Sequence, residues 1–150
     1  MTISYNWLSE YLPKTVSPEQ LSTILTSIGL EVESLEKVEN FRGGLEGLVV
    51  GEVVELSQHP NADKLKLTKV NTGGERSLNI VCGASNVALG QKVVVATIGT
   101  TIYPKSAEAG ITMKLAKIRG EESEGMICAE DEIGVSDDHG GIIVLDASIK

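Results

Sequence analysis

The polar string that begins at His59 has the residue types of a ligand-binding turn. Pro60 stiffens the chain, and Asn61 and Asp63 can each close a turn by bonding their own backbone. Such a turn would present His59, Asn61 and Lys64 as hydrogen-bond donors, which suit the phosphate and 2′-hydroxyl groups of RNA. A well-capped hairpin entry with incidental polarity explains the same residues, and the residues alone do not choose between the two.

A second group of polar residues ends an apolar run. Lys114, Lys117 and Arg119 are followed by a glycine-hinged loop that carries Ser123 and Met126. Cations at a strand end beside such a loop suit contact with a phosphate backbone. Lysines at a solvated strand edge also protect against aggregation. Protection against aggregation explains any single lysine here better than it explains the whole group of cations.

The charge of the chain is unevenly distributed. The 150 residues carry 13 Lys and Arg against 21 Asp and Glu, a net charge of −8, which excludes a wholly basic nucleic-acid-binding protein. Residues 60–119 hold nine of the cations and only three of the acids, a local net charge of +6. Because the Debye length is about 8 Å at physiological salt, distant acidic segments are largely screened. A local RNA-binding face therefore remains compatible with the acidic chain.

No catalytic or metal site is predicted. The sequence contains no P-loop, no GxGxxG and no Ser/His/Asp motif, and two histidines with two cysteines cannot make a zinc site of familiar spacing. We interpret Cys82 and Cys128 as buried, reduced thiols, with a reactive thiol or a disulfide as the alternative. The acidic segment 121–138 does not match a calcium loop and is interpreted as a solvated helix-and-turn face. No apolar run reaches the roughly 18–20 residues of a membrane span.

Residues 1–40 are predicted to form a helical N-terminal segment. Ser17 suits the N-cap, Pro18 the first helical position, Gln20 the capping-box position and Gly29 the helix end. Apolar residues at helical spacing make up two faces: Trp7, Leu8, Tyr11 and Leu12, and then Leu21, Ile24, Leu25 and Ile28. Two short helices cannot bury these faces alone, so we expect them to dock elsewhere.

Residues 41–150 are predicted to be mainly β, as a small antiparallel barrel or sandwich. Apolar runs of strand length alternate there with turn signals rich in Gly, Asn and Asp. Leu65 and Leu67 alternate with Lys64 and Lys66, which predicts one apolar and one cationic face. The runs are Leu48–Leu56, Lys64–Val70, Leu78–Cys82, Val93–Ile98, Ile111–Ile118 and Ile142–Leu145.

Residues 45–148 resemble the tRNA-binding domain found in several aminoacyl-tRNA synthetases and in free tRNA-binding proteins. The matching strings are Val50–Val53, His59–Leu65, Ile80–Ala84 with Asn86-Val87, Lys117–Gly120 and Ser123–Cys128. The resemblance implies a five-stranded oligonucleotide-binding (OB) barrel with Greek-key connections and tRNA as the partner. The expected tRNA-binding residues are His59, Asn61, Lys64, Lys66, Lys114, Lys117, Arg119, Ser123 and Met126.

The flanks resemble the start of the β chain of bacterial phenylalanyl-tRNA synthetases. The matching strings are Ile3–Leu8, Ile28–Glu33, Glu132–Asp138 and Gly141–Leu145. This resemblance implies an N-terminal fragment of a longer chain, with residues 1–40 as part of a split domain completed beyond it. It implies a non-catalytic accessory module of a cytoplasmic phenylalanine–tRNA ligase, an α2β2 assembly whose α chain holds the aminoacylation site. ATP and magnesium are implied for the full synthetase, and no cofactor for the fragment.

Two alternatives remain open at this stage. The barrel could be a structural module that docks on an acidic protein neighbour, because Tyr103 is its only aromatic residue past the Phe41–Gly44 boundary and few bases could stack on it. The chain could also be a free-standing tRNA-binding protein, although its helical flank argues against that.

Overall fold

The computed structural model describes residues 1–149, which divide into two units, Met1–Val38 and the chain from Glu39 onward. The first unit contains the helices α1 (Tyr5–Ser9) and α2 (Pro18–Ser27). The second begins with a 3₁₀ turn (Arg42–Leu45) and continues with strands. They are β1 (Leu48–Gln58), β2 (Lys66–Asn71), β3 (Leu78–Cys82), β4 (Lys92–Thr97), β5 (Thr101–Ile102), β6 (Ile111–Thr112), β7 (Ala116–Ile118), β8 (Glu121–Ser123), β9 (Gly125–Ile127) and β10 (Val144–Leu145).

Local capping chemistry fixes α2, as the sequence predicts. The Ser17 hydroxyl accepts a hydrogen bond from the Gln20 N–H, and the Gln20 side chain accepts one from the Ser17 N–H, each at 3.3 Å. Pro18 occupies the first helical turn, where its missing N–H has no intrahelical partner to lose. Gly29 follows the helix with a φ of +92°, a conformation that disfavours any residue with a Cβ.

The first unit leaves most of its large apolar side chains in contact with solvent. Leu21 is buried at 6% exposure, whereas Trp7 is 57%, Tyr11 73% and Ile28 68% exposed. The Trp7 and Tyr11 rings meet edge to face, with centroids 6.1 Å apart. The two helices therefore do not bury their own apolar faces, as their length predicts.

The second unit is a nearly closed, five-stranded antiparallel barrel, which confirms the predicted mainly-β fold. The first half of β1 pairs with β4, and its second half pairs with β2, which in turn pairs with β3. An irregularity between Val53 and Glu55 interrupts the ladder between β1 and β2. Such a bulge sharpens the local twist, so that one long strand can serve both sides of the barrel. On its other side, β4 pairs with β9 and β10.

The barrel core consists of aliphatic side chains from alternate strand positions. Val53, Val70, Ile80, Val93 and Val95 are each at most 1% exposed. A second cluster, built on Ala96, Ile102, Cys128 and Ile133, covers another part of the barrel. The valine and isoleucine side chains at every second position of these strands thus face the core, as the alternation of side chains along a β-strand predicts.

Polar groups close the barrel between β3 and the β8–β9 region. The Ser123 hydroxyl accepts the Val81 N–H at 3.1 Å, and the Glu124 carboxylate accepts the Asn79 N–H at 3.0 Å. The Glu124 N–H donates to the Asn79 carbonyl at 2.8 Å. The Arg76 guanidinium also bonds this carboxylate and, together with the Asn79 N–H, lowers the pKa of Glu124 to about 2. Glu124 is thus ionised at neutral pH and belongs to the barrel itself.

Two predictions about the later strands are wrong. The run Ile111–Ile118, predicted as one strand, is divided into β6 and β7 by an irregular segment. The acidic segment 121–138, interpreted as a solvated helix-and-turn face, contains β8 and β9 and no helix. Ser123, Ile127 and Cys128 are buried there. Glu122 is exposed, and Glu124 and Glu132 bond backbone N–H groups, so an acidic composition is compatible here with two strands.

Both cysteines are free and buried, as predicted. Burial raises the pKa of the Cys82 thiol, and it raises the pKa of the Cys128 thiol to about 12. Both thiols are therefore protonated at neutral pH, and a protonated thiol is a poor nucleophile. Among residues 1–149 we find no helix whose length and hydropathy would let it cross a bilayer.

Candidate nucleic-acid interface

The turn that follows β1 is held by Gln58. Its side-chain amide donates to the carbonyls of Ala62, Asp63 and Leu65, at 3.3, 2.7 and 3.0 Å. The His59 N–H also donates to the Leu65 carbonyl, at 3.1 Å. The turn was expected to close through the side chains of Asn61 and Asp63, but the glutamine before it performs that role.

His59 is buried within this turn, at 3% exposure. Its Nδ1 accepts the Asn61 N–H at 3.0 Å, and its Nε2 lies 3.1 Å from the Ile118 carbonyl. Since Nδ1 is an acceptor, the ring proton is on Nε2 and is donated to that carbonyl. The structure therefore places His59 beside the predicted site, but with neither ring nitrogen open to a ligand.

The second predicted string forms a tight hairpin between β7 and β8. Ile118 pairs with Glu121, so Arg119 and Gly120 make a two-residue turn. Their φ values of +49° and +100° fit a type I′ turn, which requires positive φ at both central residues. The Asn61 side chain donates to the Arg119 carbonyl at 3.4 Å. Asn61 and His59 thus join the turn after β1 to the hairpin tip.

The nine cations of residues 60–119 fall into two classes. Lys69 pairs with Glu55, Arg76 with Glu124 and Lys105 with Asp137. Lys66 and Lys92 donate to backbone carbonyls. The other four are exposed, and within residues 1–149 their charged groups make no ion pair or hydrogen bond. We call these four the cationic rim: Lys64, Lys114, Lys117 and Arg119.

Lys66 differs from the four rim cations because its side chain turns toward the core side of β2. Lys66 shares strand parity with Thr68 and Val70, which are 2% and 0% exposed. Its ammonium donates to the carbonyls of Ser85 and Val87, at 3.3 and 3.2 Å. The predicted division into a leucine face and a lysine face is therefore wrong, because Leu67 lies on the outer face.

Ser123 and Met126 are placed differently from each other. Ser123 is 2% exposed; its hydroxyl donates to the Gly125 carbonyl at 2.9 Å and also accepts the Val81 N–H. Met126 is half-buried and lies on the wall of a groove of about 790 Å³. Ser123 thus closes the barrel, whereas Met126 can touch a molecule in the groove.

This groove also contains residues that the sequence analysis missed. Met113 and Leu115 line it on either side of Lys114, and Leu115 is 55% exposed. The volume of the groove lies within the range of about 300–1,000 Å³ that is typical of ligand sites. The signal that could have found these residues is the break in the run 111–118, where two large apolar residues flank a lysine.

Acidic side chains also lie near the rim. Lys117 is the register partner of Glu122, and Asp63 precedes Lys64. His139, which lines the groove, pairs with Asp131 at 2.9 Å, and the Asp131 carboxylate raises the pKa of His139. In the described part of the chain, no three His, Cys, Asp or Glu side chains cluster in a way that could hold a metal ion.

Known proteins whose descriptions refer to tRNA are similar to this chain. The sequence model of a family described as "Putative tRNA binding domain" matches residues 48–150. The chain is 56% identical to the phenylalanine–tRNA ligase beta subunit of Bacteroides thetaiotaomicron, over 98% of this chain and 18% of that protein. It is 57% identical to the same subunit of Porphyromonas gingivalis, over 97% of this chain and 18% of that protein. It thus spans about a fifth of the length of these curated relatives.

Some solved structures are also similar to part of this chain. The crystal structure of the C-terminal domain of Plasmodium vivax p43 matches 53% of this chain and 43% of its own, with 29% identity and a TM-score of 0.40.

Proposed function

Because the chain belongs to the family of tRNA-binding domains, we propose that it binds tRNA through the cationic rim. The rim lysines and Arg119 contact phosphates, and Asn61 lies among them. Met126 and Lys114 contact the part of the RNA that enters the groove. His59, Lys66 and Ser123 hold the surrounding backbone, because their polar atoms are bonded within the protein.

The observation that carries this proposal is the separation of paired from unpaired cations. Five of the nine positive groups in residues 60–119 are engaged within the protein. The four others lie in the turn after β1, in the segment before β7 and in the hairpin. Exposed, unpaired cations release bound counterions from a nucleic acid when they meet its phosphates, which is the main source of non-specific affinity.

We further propose that the chain is part of a phenylalanine–tRNA ligase β subunit. The support is 56–57% identity to two such subunits over nearly the whole chain. In this proposal residues 41–150 are the tRNA-binding module and residues 1–40 are part of a split domain. An α subunit is the partner in an α2β2 assembly in the cytoplasm. Other parts of that enzyme use ATP and magnesium to attach phenylalanine to tRNA.

A salt titration tests the binding mechanism. If the four rim cations neutralise four phosphates, the logarithm of the affinity falls with the logarithm of salt concentration with a slope between about −2.8 and −3.6. We therefore expect tRNA affinity to fall roughly 100-fold between 50 and 200 mM salt, measured by fluorescence anisotropy with labelled tRNA. An affinity that does not change with salt would exclude this mechanism.

A docking module remains the second candidate, and one observation favours it. The Trp7 and Tyr11 rings are in contact and are 57% and 73% exposed, and exposed apolar patches mark protein interaction sites. Ile28 and Leu30 of the same unit are also more than half exposed. If the chain binds no tRNA even at 50 mM salt, the docking function replaces the tRNA-binding function.

A further inference from the structure

We propose that His59 is a positioning residue for RNA binding, acting through the hairpin that carries Lys117 and Arg119. The inference rests on the proposed function, and it extends that function to a buried residue that no RNA would touch. In its Nε2–H form, the imidazole connects the turn that carries Lys64 with the hairpin. The turn that carries Lys64 is thereby held beside the hairpin that carries Lys117 and Arg119.

The hairpin tip needs such a connection because the hydrogen bond from Val81 to the Ser123 hydroxyl joins the hairpin to β3 at the base of the hairpin, away from Arg119 and Gly120. Strands β7 and β8 form a separate two-stranded sheet, and its three register pairs are all internal to the hairpin. Two-stranded hairpins are at most marginally stable without further packing. The bonds that reach the hairpin tip come from His59 to the Ile118 carbonyl and from Asn61 to the Arg119 carbonyl.

The conformation of Arg119 adds to this need. Its φ of +49° is left-handed, a conformation that is unfavourable for a residue with a Cβ. A residue holds such a conformation only when its surroundings enforce it. The turn after β1 bonds the carbonyls of both peptide groups that flank the Cα of Arg119. His59 bonds the Ile118 carbonyl, and Asn61 bonds the Arg119 carbonyl. The guanidinium direction therefore depends on those bonds.

The two ring nitrogens have separate partners, so two conservative variants can separate their roles. In H59N the side-chain oxygen lies near the Nδ1 position and can still accept the Asn61 N–H, but nothing reaches Ile118. In H59Q the side-chain amide lies near the Nε2 position and can still donate to the Ile118 carbonyl. Both variants remove the ring, so each serves as the packing control for the other.

The test measures tRNA affinity of the two variants, each with and without Arg119→Ala. One phosphate contact is worth about 5- to 8-fold in affinity at 0.1 M salt. We expect H59N to bind about 5-fold or more weakly than H59Q. We also expect Arg119→Ala to lower tRNA affinity about 5-fold in H59Q but less than about 2-fold in H59N. The effects of substitutions at coupled residues do not add, and H59N has already lost the Arg119 contact. Equal affinity of the two variants, with an equal effect of Arg119→Ala, overturns the proposal.

Two measurements without RNA keep this test separate from the test of the proposed function. In the wild-type chain, the ¹⁵N shifts of the His59 ring should show the proton on Nε2, and a proton on Nδ1 overturns the proposal even if neither variant folds. Amide hydrogen exchange at Arg119 and Gly120 should be faster in H59N than in H59Q, and equal rates overturn it. The wild-type chain could show the Nε2 proton and the difference in exchange rates and still bind no tRNA. In that case His59 positions the hairpin, and only the proposed tRNA-binding function is wrong.

Discussion

Replacing Lys64, Lys114, Lys117 and Arg119 together with glutamine is expected to lower tRNA affinity about 1,000-fold at 0.1 M salt. These four groups are exposed, and their charges are not paired within residues 1–149. Each contact with a phosphate contributes about 0.7–0.9 to the slope of log affinity against log salt. The variant should therefore show a slope close to zero as well as a weaker affinity. The fold should remain intact, because none of these side chains packs in the core.

Cations that are already paired provide a matched control. The double variant Lys69→Gln/Lys105→Gln changes the net charge by the same amount as Lys64→Gln/Lys117→Gln. Lys69 is 48% and Lys105 44% exposed, but their ammonium groups lie 2.8 and 3.1 Å from Glu55 and Asp137. We expect the rim double variant to lose about 30-fold or more in affinity, and the control less than about 3-fold. Equal losses would mean that only net charge matters, which would contradict a defined rim.

Gly125→Ala is expected to destabilise the barrel by about 2–4 kcal/mol. A Cβ at this position would lie 2.5 Å from the Ala96 carbonyl oxygen, well inside van der Waals contact. Thr97 and Gly125 are partners in the pairing of β4 with β9, so the strands must separate to admit a methyl group. The Ala96 carbonyl belongs to the backbone, so it cannot rotate away from the new methyl group as a side chain could. The melting temperature should fall by roughly 10 °C, measured by scanning calorimetry.

Gly74→Ala is the matched control for that variant. The nearest heavy atom to a Cβ at Gly74 is the Arg76 carbonyl oxygen, at 4.0 Å, which is ordinary contact. We expect its free energy of unfolding to change by less than about 0.5 kcal/mol. A Gly125→Ala variant that unfolds at the wild-type temperature would show that β4 and β9 do not approach as closely as described.

The helices and the first four barrel strands could be predicted because their signals are local. The capping box of Ser17 and Gln20 spans four residues, and the structure contains both of its hydrogen bonds. The strands β1 to β4 are apolar runs bounded by turn residues. Strand β9 was missed because the region that closes the barrel carries Ser123 and Glu124, whose polar side chains bond backbone groups of β3.

The candidate site could be predicted only in part, because burial depends on residues far along the chain. His59 is satisfied by a carbonyl 59 positions away, and Lys66 by carbonyls 19 and 21 positions away. Nothing in the local sequence distinguishes these residues from Lys64. Similarly, the ion pairs that engage Lys69, Arg76 and Lys105 appear only when strands and loops meet. The sequence shows the total positive charge of the segment, and the fold decides which cations are free.

The central claim is that tRNA meets the four free cations and not the paired ones, and lysine footprinting tests it most directly. The chain is acetylated briefly with and without saturating tRNA at low salt, and the rate at each lysine is read by mass spectrometry. Lys69 and Lys105 are internal controls, because both are partly exposed but ion-paired. We predict that tRNA slows acetylation of Lys64, Lys114 and Lys117 and leaves the acetylation rates of Lys69 and Lys105 unchanged. Protection of Lys69 and Lys105, with Lys64, Lys114 and Lys117 unaffected, would contradict it.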